Sequence, residues 1–309
     1  MVFQLTLRLV GCREIAEDPE QLRYVLKLYE TLDKSSTSLG IMFPRLPLPS
    51  TLKRNWAGFR LYMVLQRIAD ARKKEGRKED DALQYLLDHG DSIKNVVSFV
   101  AGALFAGVVN SSINAGAILA FLSTNPKWQQ KVYEEVVANV KEYASKESEG
   151  QPIAERLKTI PLDVWETKFV NVDLCLKESI RLNLLGCGYR RNISNRPCEI
   201  PGSKGEVIPA GQFATYHLAD IHYNPSIYTS PQTFDPERYL PGREEDKSVP
   251  FAWVGWGAGR HPCLGMRFAK LESNLVVGFA IRITLPGRPE VVGIPKRPVY
   301  VKFKEREMI

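Results

Sequence analysis

The residues best suited to chemistry concentrate in one stretch, Trp256-Gly257-Ala258-Gly259-Arg260-His261-Pro262-Cys263-Leu264-Gly265. Its cysteine stands where a glycine-rich loop meets a helical pattern, MRFAKLESNLVVGFA. Backbone N–H groups and the positive end of that helix favour the thiolate, a soft metal ligand. Glycines clear space for a large flat ligand, and Arg260 and His261 can meet an acidic edge of it. Two phosphate loops are excluded. No Lys-Ser/Thr follows to complete G-x-x-x-x-G-K-[ST], and counting G-x-G-x-x-G from Gly257 puts Pro262 at the last position. A structural glycine turn leading into a helix is the plain alternative.

Three further motifs stand upstream of the loop. Glu178-Ser179-Ile180-Arg181 places a carboxylate and a guanidinium three residues apart on a predicted helix, where they share a face. Phe234-Asp235-Pro236-Glu237-Arg238-Tyr239 lies in a Pro-rich stretch that follows His222-Tyr223-Asn224-Pro225. Asn125-Pro126, with Glu134 and Glu135 beyond it, opens a helix after a long apolar segment.

In this order and spacing the motifs resemble those of the cytochrome P-450 family over residues of about 95 to 275. The cysteine loop is similar to the family's F-x-x-G-x-[RH]-x-C-x-G, with Trp256 replacing the phenylalanine and Gly259 and Gly265 at the pattern's glycines. The resemblance implies haem b with Cys263 as the axial thiolate ligand. It implies that His261, Arg260 and Arg190 contact the propionates, and that Trp256, Gly257, Gly259 and Gly265 shape the seat. Glu178, Arg181 and Arg238 become a structural triad that locks the irregular segment presenting the loop.

The distal side departs from the family. Its A-G-x-[DE]-T appears here as Ala106-Gly107-Val108-Val109-Asn110-Ser111, so Val109 stands at the acid position and Asn110 at the threonine position. That threonine helps deliver the proton for oxygen activation. An amide can donate a hydrogen bond and order water but passes a proton less readily. Asn110 and Ser111 are the expected catalytic residues, Ser111 as the substitute hydroxyl. A polar helix residue bonded to a backbone carbonyl is the plain alternative for Asn110. Phe99, Ala103, Phe105, Ala106 and Val109, with residues 184–189 (LLGCGY), are expected to line an apolar pocket.

The positioning elements are mostly helical. Helices are predicted over 2–17, 19–34, 51–75, 79–89, 95–125, 126 onward, 163–185 and 266–280. Residues 40–50, with three prolines, and 224–250 read as irregular. Short strands are predicted at 189–194, 198–208, 209–218 and 297–304. The fold class is therefore mainly α with a small β region, a single partial cytochrome P-450 domain over 1–309. The central distal helix is 95–125, and the ligand loop with its following helix is 250–281. The central helix carries no charge and is long enough to cross a bilayer. Asn110, Ser111, Ser112 and Asn114 at its middle favour a buried helix instead.

Composition sets the outer bounds. The 309 residues are 44% apolar and 25% charged, a globular balance that excludes a disordered or collagen-like chain. The 42 Lys+Arg exceed 35 Asp+Glu by seven, and the basic run at 72–78 is interleaved with acids, reading as a solvated helix end. Five cysteines, Cys12, Cys175, Cys187, Cys198 and Cys263, form no C-x-x-C pair, which argues against zinc ribbons and secreted disulfide frameworks and for a reducing compartment.

From the resemblance, the function is a monooxygenase that inserts one atom of O2 into a lipophilic substrate with electrons from an NADPH-dependent flavoprotein reductase. Lys247, Arg260, Arg267 and Lys270 are the expected docking charges, and no nucleic-acid role is expected. A reductase-independent isomerase or lyase acting on a peroxide, and a fragment without activity, are the rivals. The family implies the cytosolic face of the endoplasmic reticulum membrane. The chain is much shorter than the family norm. The anchor, the first strands and the helix holding the other propionate are therefore expected outside it, with a shortened hairpin at 282–297.

Overall fold

The computed structural model describes residues 1–43, 46–281, 283–284 and 302–303. The chain divides into two compact units, Met1–Ile113 and Asn114–Ile309. Helices dominate both, with three two-stranded sheets among the described residues of the second.

In the first unit the helix predicted over 2–17 is two, α1 (Val2–Val10) and α2 (Arg13–Glu17). Gly11 makes the break. A Cβ there would lie 2.7 Å from the Leu7 carbonyl oxygen, and its own carbonyl accepts the Leu83 N–H at 3.0 Å. Helix α3 (Pro19–Lys34) starts where predicted, because Pro19 needs no N–H partner at the first turn and Asp18 accepts from the Glu20 and Gln21 amides. A short α4 (Ser38–Met42) enters the proline loop; α5 (Pro49–Glu75) follows and ends at Gly76, whose φ of 64° closes the helix. Then come α6 (Ala82–Asp88) and α7 (Ile93–Thr124), within which the unit boundary falls. Leu7, Ile15, Leu28, Leu61, Leu65 and Val100 centre this unit's core.

In the run 72–78 Lys73, Lys74 and Lys78 are exposed as expected, and Arg72 is the exception. Its guanidinium is 2% exposed and donates to Glu14 (2.5 and 2.9 Å) and to Asp81 (2.5 and 2.9 Å). Asp81 also caps α6 through the Gln84 amide and accepts the Arg13 N–H. One guanidinium thus ties α2, α5 and the start of α6 together, a geometry that charge alternation along the sequence does not reveal.

Helix α7 buries one stripe, which includes Val96, Val100, Leu104, Ser111, Ala115, Ile118 and Leu122 at helical spacing. Only 22% of its most apolar window is buried, so the helix is far less buried than the sequence leads one to expect. It is one helix, among the described residues, apolar and long enough to cross a membrane.

The second unit opens after α7 with α8 (Pro126–Tyr143), capped by the Asn125 side chain on the Trp128 amide at 3.2 Å. The short α9 (Ile153–Leu157) follows. The helix predicted over 163–185 is two, α10 (Leu162–Thr167) and α11 (Val170–Asn183). The break comes from α8: Asn139 Nδ2 donates to the Lys168 carbonyl at 3.0 Å, and the Glu135 carboxylate accepts the Asn171 and Val172 amides at 2.7 and 3.3 Å. Burial pushes the Glu135 carboxyl up to about 7 against the pull of these donors.

Strand β1 (Cys187–Arg191) then leads to the hairpin of β2 (Cys198–Glu199) and β3 (Val207–Ile208), and β4 (Phe213–His217) returns antiparallel to β1, His217 opposite Cys187. After α12 (Leu218–His222) the chain runs through two 3₁₀ turns, Pro236–Tyr239 and Glu245–Lys247, to α13 (Met266–Ala280). Finally β5 (Ile283–Thr284) pairs with β6 (Lys302–Phe303). The shortened hairpin expected over 282–297 otherwise lies outside the described residues, as do 44–45 of the proline loop and most of 297–304. Trp128, Val132, Val136, Trp165, Phe169, Leu176 and Val277 make the core of this unit.

Candidate functional site

Glu178 and Arg181 lie one turn apart on α11 and are both fully buried, as is Arg238 from the first 3₁₀ turn. The Glu178 carboxylate accepts five hydrogen bonds. Arg181 Nε and Nη2 donate at 2.9 and 2.8 Å, Arg238 Nε at 3.0 Å, Tyr239 OH at 2.7 Å and the Asp235 amide at 3.1 Å. Arg238 Nη1 also pairs with Glu245, so two buried guanidiniums meet two carboxylates. Their remaining N–H groups go to the carbonyls of His222, Thr229 and Thr233. The three residues paired from sequence are thus brought together. Glu245, which completes the charge balance, carries no motif that would have revealed it.

From this core several bonds lead to the cysteine loop. Tyr228 stacks against both guanidiniums (4.8 and 5.6 Å to its ring centre) and donates its hydroxyl to the Ala252 carbonyl at 2.8 Å. The next residues are held by Trp253 Nε1 on the Lys177 carbonyl and by the Val254 amide on His222 Nε2 at 3.1 Å. Lys177 sits over the Tyr239 and Trp253 rings with its ammonium on Asp246. Burial, then the Arg181 charge, pushes the His222 imidazole down to about 4, so it accepts as the neutral ring.

Gly255 is the tightest point. A Cβ on it would lie 2.2 Å from the Trp253 ring and 2.6 Å from Ile180 Cγ2. At Gly259 nothing stands within 4 Å, but φ is 77°. Gly255→Ala must displace a wedged indole and is expected to cost about 1–3 kcal/mol as overpacking. Gly259→Ala costs about 1 kcal/mol of left-handed strain. Thermal unfolding of the two variants checks the order, and equal midpoints would refute it.

The loop itself is closed by the Cys263 amide on the Trp256 carbonyl at 2.7 Å and by the Gly257 amide on Val254 at 2.9 Å. Gly257 has φ 80°, and a Cβ there would approach the His261 carbonyl to 3.3 Å, so the turn needs glycine. Cys263 is exposed two residues before Gly265, the N-cap of α13. Trp256 packs against the core edge-on to Trp253.

A family model described as cytochrome P450 matches residues 2–282 of this chain, which include the loop and the ion-pair core. The chain belongs to the cytochrome P450 family. It is 38% identical to the cytochrome P450 monooxygenase AacuE of Aspergillus aculeatus over 284 residues, 91% of this chain and 56% of that protein. It is 32% identical to a sterol 14-demethylase of Arabidopsis thaliana over 305 residues, 92% of this chain and 59% of that one. The solved structure of a retinoic-acid-bound cyanobacterial CYP120A1 superposes with a TM-score of 0.66 at 27% identity, covering 92% of this chain and 61% of that one. The chain thus spans little more than half the length of the curated relatives it matches.

The P450 family and fold imply a haem-thiolate group. The residues present fit one. The P450 loop offers a single exposed thiol, and its turn is open only to glycine at Gly257. Beside the thiol Leu264 stands fully exposed. No group of three or more His, Cys, Asp or Glu side chains able to hold a metal ion lies among the described residues.

The other expected positions are less assembled. Arg260 and His261 are exposed without ion pairs among the described residues. Arg190 in β1 is exposed and donates to the Tyr189 carbonyl at 2.7 Å. On α7 Asn110 is exposed and its Nδ2 donates to the Ala106 carbonyl at 3.1 Å, the plain alternative for this residue rather than the expected pocket-facing role, while Ser111 is buried. Phe99, Phe105 and Ala106 are exposed and Ala103 and Val109 half-buried. Of the four expected docking charges, three have acidic partners of their own: Arg267 on Glu166, Lys270 on Asp173 and Lys247 on Glu244.

Proposed function

We propose that the protein is a haem-thiolate monooxygenase of fungal secondary metabolism, taking electrons from an NADPH-dependent flavoprotein reductase and acting on a lipophilic substrate. The observation that carries the reading is the exposed Cys263 thiol on a glycine turn braced by a buried four-charge core. A resident haem b would supply oxygen activation, strengthened by electron donation from its thiolate ligand.

The chain's own residues would do the rest. Cys263 would ligate the metal, Arg260, His261 and Arg190 would neutralise the propionates, and Trp256, Gly257, Gly259 and Gly265 would set the shape of the seat. Asn110 carries an amide where the family has a hydroxyl, its Nδ2 engaged by the Ala106 carbonyl, and Ser111 carries the neighbouring hydroxyl that would stand in for it. The apolar, small side chains on α7 suit a sterol-, terpenoid- or acyl-like substrate, in keeping with relatives named as sterol and obtusifoliol demethylases. A membrane-surface location is supported by exposed Leu52, Trp56, Phe59 and Met63 on α5, beside the basic residues Lys53, Arg54 and Arg60, and the family resemblance makes that membrane the endoplasmic reticulum.

The test is the absorbance of the reduced, CO-treated protein, followed by turnover of a lipophilic panel with NADPH, reductase and O2. A thiolate-type Soret band and an oxygenated product are expected. Absence of the band overturns the ligand assignment. Turnover of a hydroperoxide without reductase, and none with it, replaces the monooxygenase by an isomerase or lyase.

A further inference from the structure

We propose that His222 is the positioning residue through which the buried ion pairs set the Cys263 loop. It is fully buried at the end of α12, and it is gripped at two places. Its backbone carbonyl accepts Arg181 Nη1 at 2.5 Å, and its ring Nε2 accepts the Val254 amide at 3.1 Å. The Val254 carbonyl in turn accepts the Gly257 amide, and the Trp256 carbonyl accepts that of Cys263. A short bonded run therefore joins the guanidinium of Arg181 to the residue that presents the thiol. Tyr223, the next residue, pins α12 to α11 by donating its hydroxyl to the Leu182 carbonyl at 2.6 Å.

The ring, and not only the backbone of His222, takes part. With Nε2 accepting, the proton of the neutral ring sits on Nδ1, buried beside the Arg181 backbone. A side chain that only filled space would be a leucine or a phenylalanine. The imidazole is retained for the acceptor it offers Val254, an amide that is otherwise buried at the mouth of the loop.

The proposal rests on the reading of Cys263 as the ligand, and the experiment separates the two. Three variants of the chain are compared with wild type: His222→Leu removes the acceptor, His222→Asn places an oxygen near Nδ1, and His222→Gln places one near Nε2. Hydrogen exchange at the Val254 amide, read in the haem-free chain, is expected to accelerate roughly tenfold in the leucine and asparagine variants, the effect of one unsatisfied buried donor. The glutamine variant is expected to exchange like wild type. Peptide-resolved alkylation of Cys263 follows the same order, and so does the fraction of thiolate-type Soret absorbance after haem loading.

Unchanged Val254 exchange in all three variants, with only a lowered unfolding midpoint, overturns the proposal. Should the leucine variant not fold, the contrast between glutamine and asparagine decides alone. A wild type with no thiolate-type band would refute the proposed function and leave the exchange result to stand or fall separately.

Discussion

Glu178→Gln is expected to destabilise the second unit by about 3–5 kcal/mol, the cost of breaking a buried ion pair from one side. The carboxylate is fully buried and takes three hydrogen bonds from two guanidiniums. Glutamine keeps one acceptor oxygen but turns an amide donor toward Arg181 or Arg238, and leaves two positive charges facing only Glu245. Whole-domain stabilities of about 5–15 kcal/mol make that loss a large share of the total. The fixed side also matters. Arg181 would no longer be drawn to its helix neighbour, so its bond to the His222 carbonyl loosens and the loop beyond Val254 loses its reference. Urea unfolding followed by tryptophan fluorescence checks this, since Trp165, Trp253 and Trp256 all lie in this unit. Arg267→Ala, which removes an exposed pair with Glu166, is the control expected to stay near wild type. A glutamine variant as stable as that control would show the core to be held by its carbonyl contacts instead.

Local signals marked what is local. Pro19 after Asp18, Pro126 after Asn125 and the Gly265 turn fixed the starts of α3, α8 and α13, because a cap is satisfied by residues next to it. The ion-pair core was legible for a different reason. Glu178 and Arg181 alone are an i,i+3 pair that any helix offers, and only the resemblance to the family's motif order joined Arg238 to them across the chain. What escaped was decided by partners from elsewhere. The split between α10 and α11 is imposed by Asn139 and Glu135 from α8, and the break at Gly11 by Leu83. Arg72 looked solvated because its two carboxylate partners come from α2 and from the residue before α6. His222 was visible only as part of a motif. Nothing in HYNP tells that one residue serves Arg181 with its carbonyl and Val254 with its ring.

Cys263→Ser is the variant expected to separate folding from function most cleanly. The thiol is exposed, and the residue's one described bond, from its amide to the Trp256 carbonyl, is made by backbone and survives the change. The unfolding midpoint should therefore stay near wild type, while the thiolate-type absorbance of the reduced, CO-treated protein disappears. No other cysteine is placed to replace it. Burial pushes the Cys12 thiol up to about 12 and raises Cys175 further, so neither offers a thiolate near neutral pH. Cys187 and Cys198 are exposed but stand in β1 and β2, away from any glycine turn at a helix start. Cys187→Ser and Cys198→Ser are thus expected to keep the band. If either of them abolished it and Cys263→Ser did not, the ligand would lie in the β region, and the braced glycine turn would be a structural entry to α13 and nothing more.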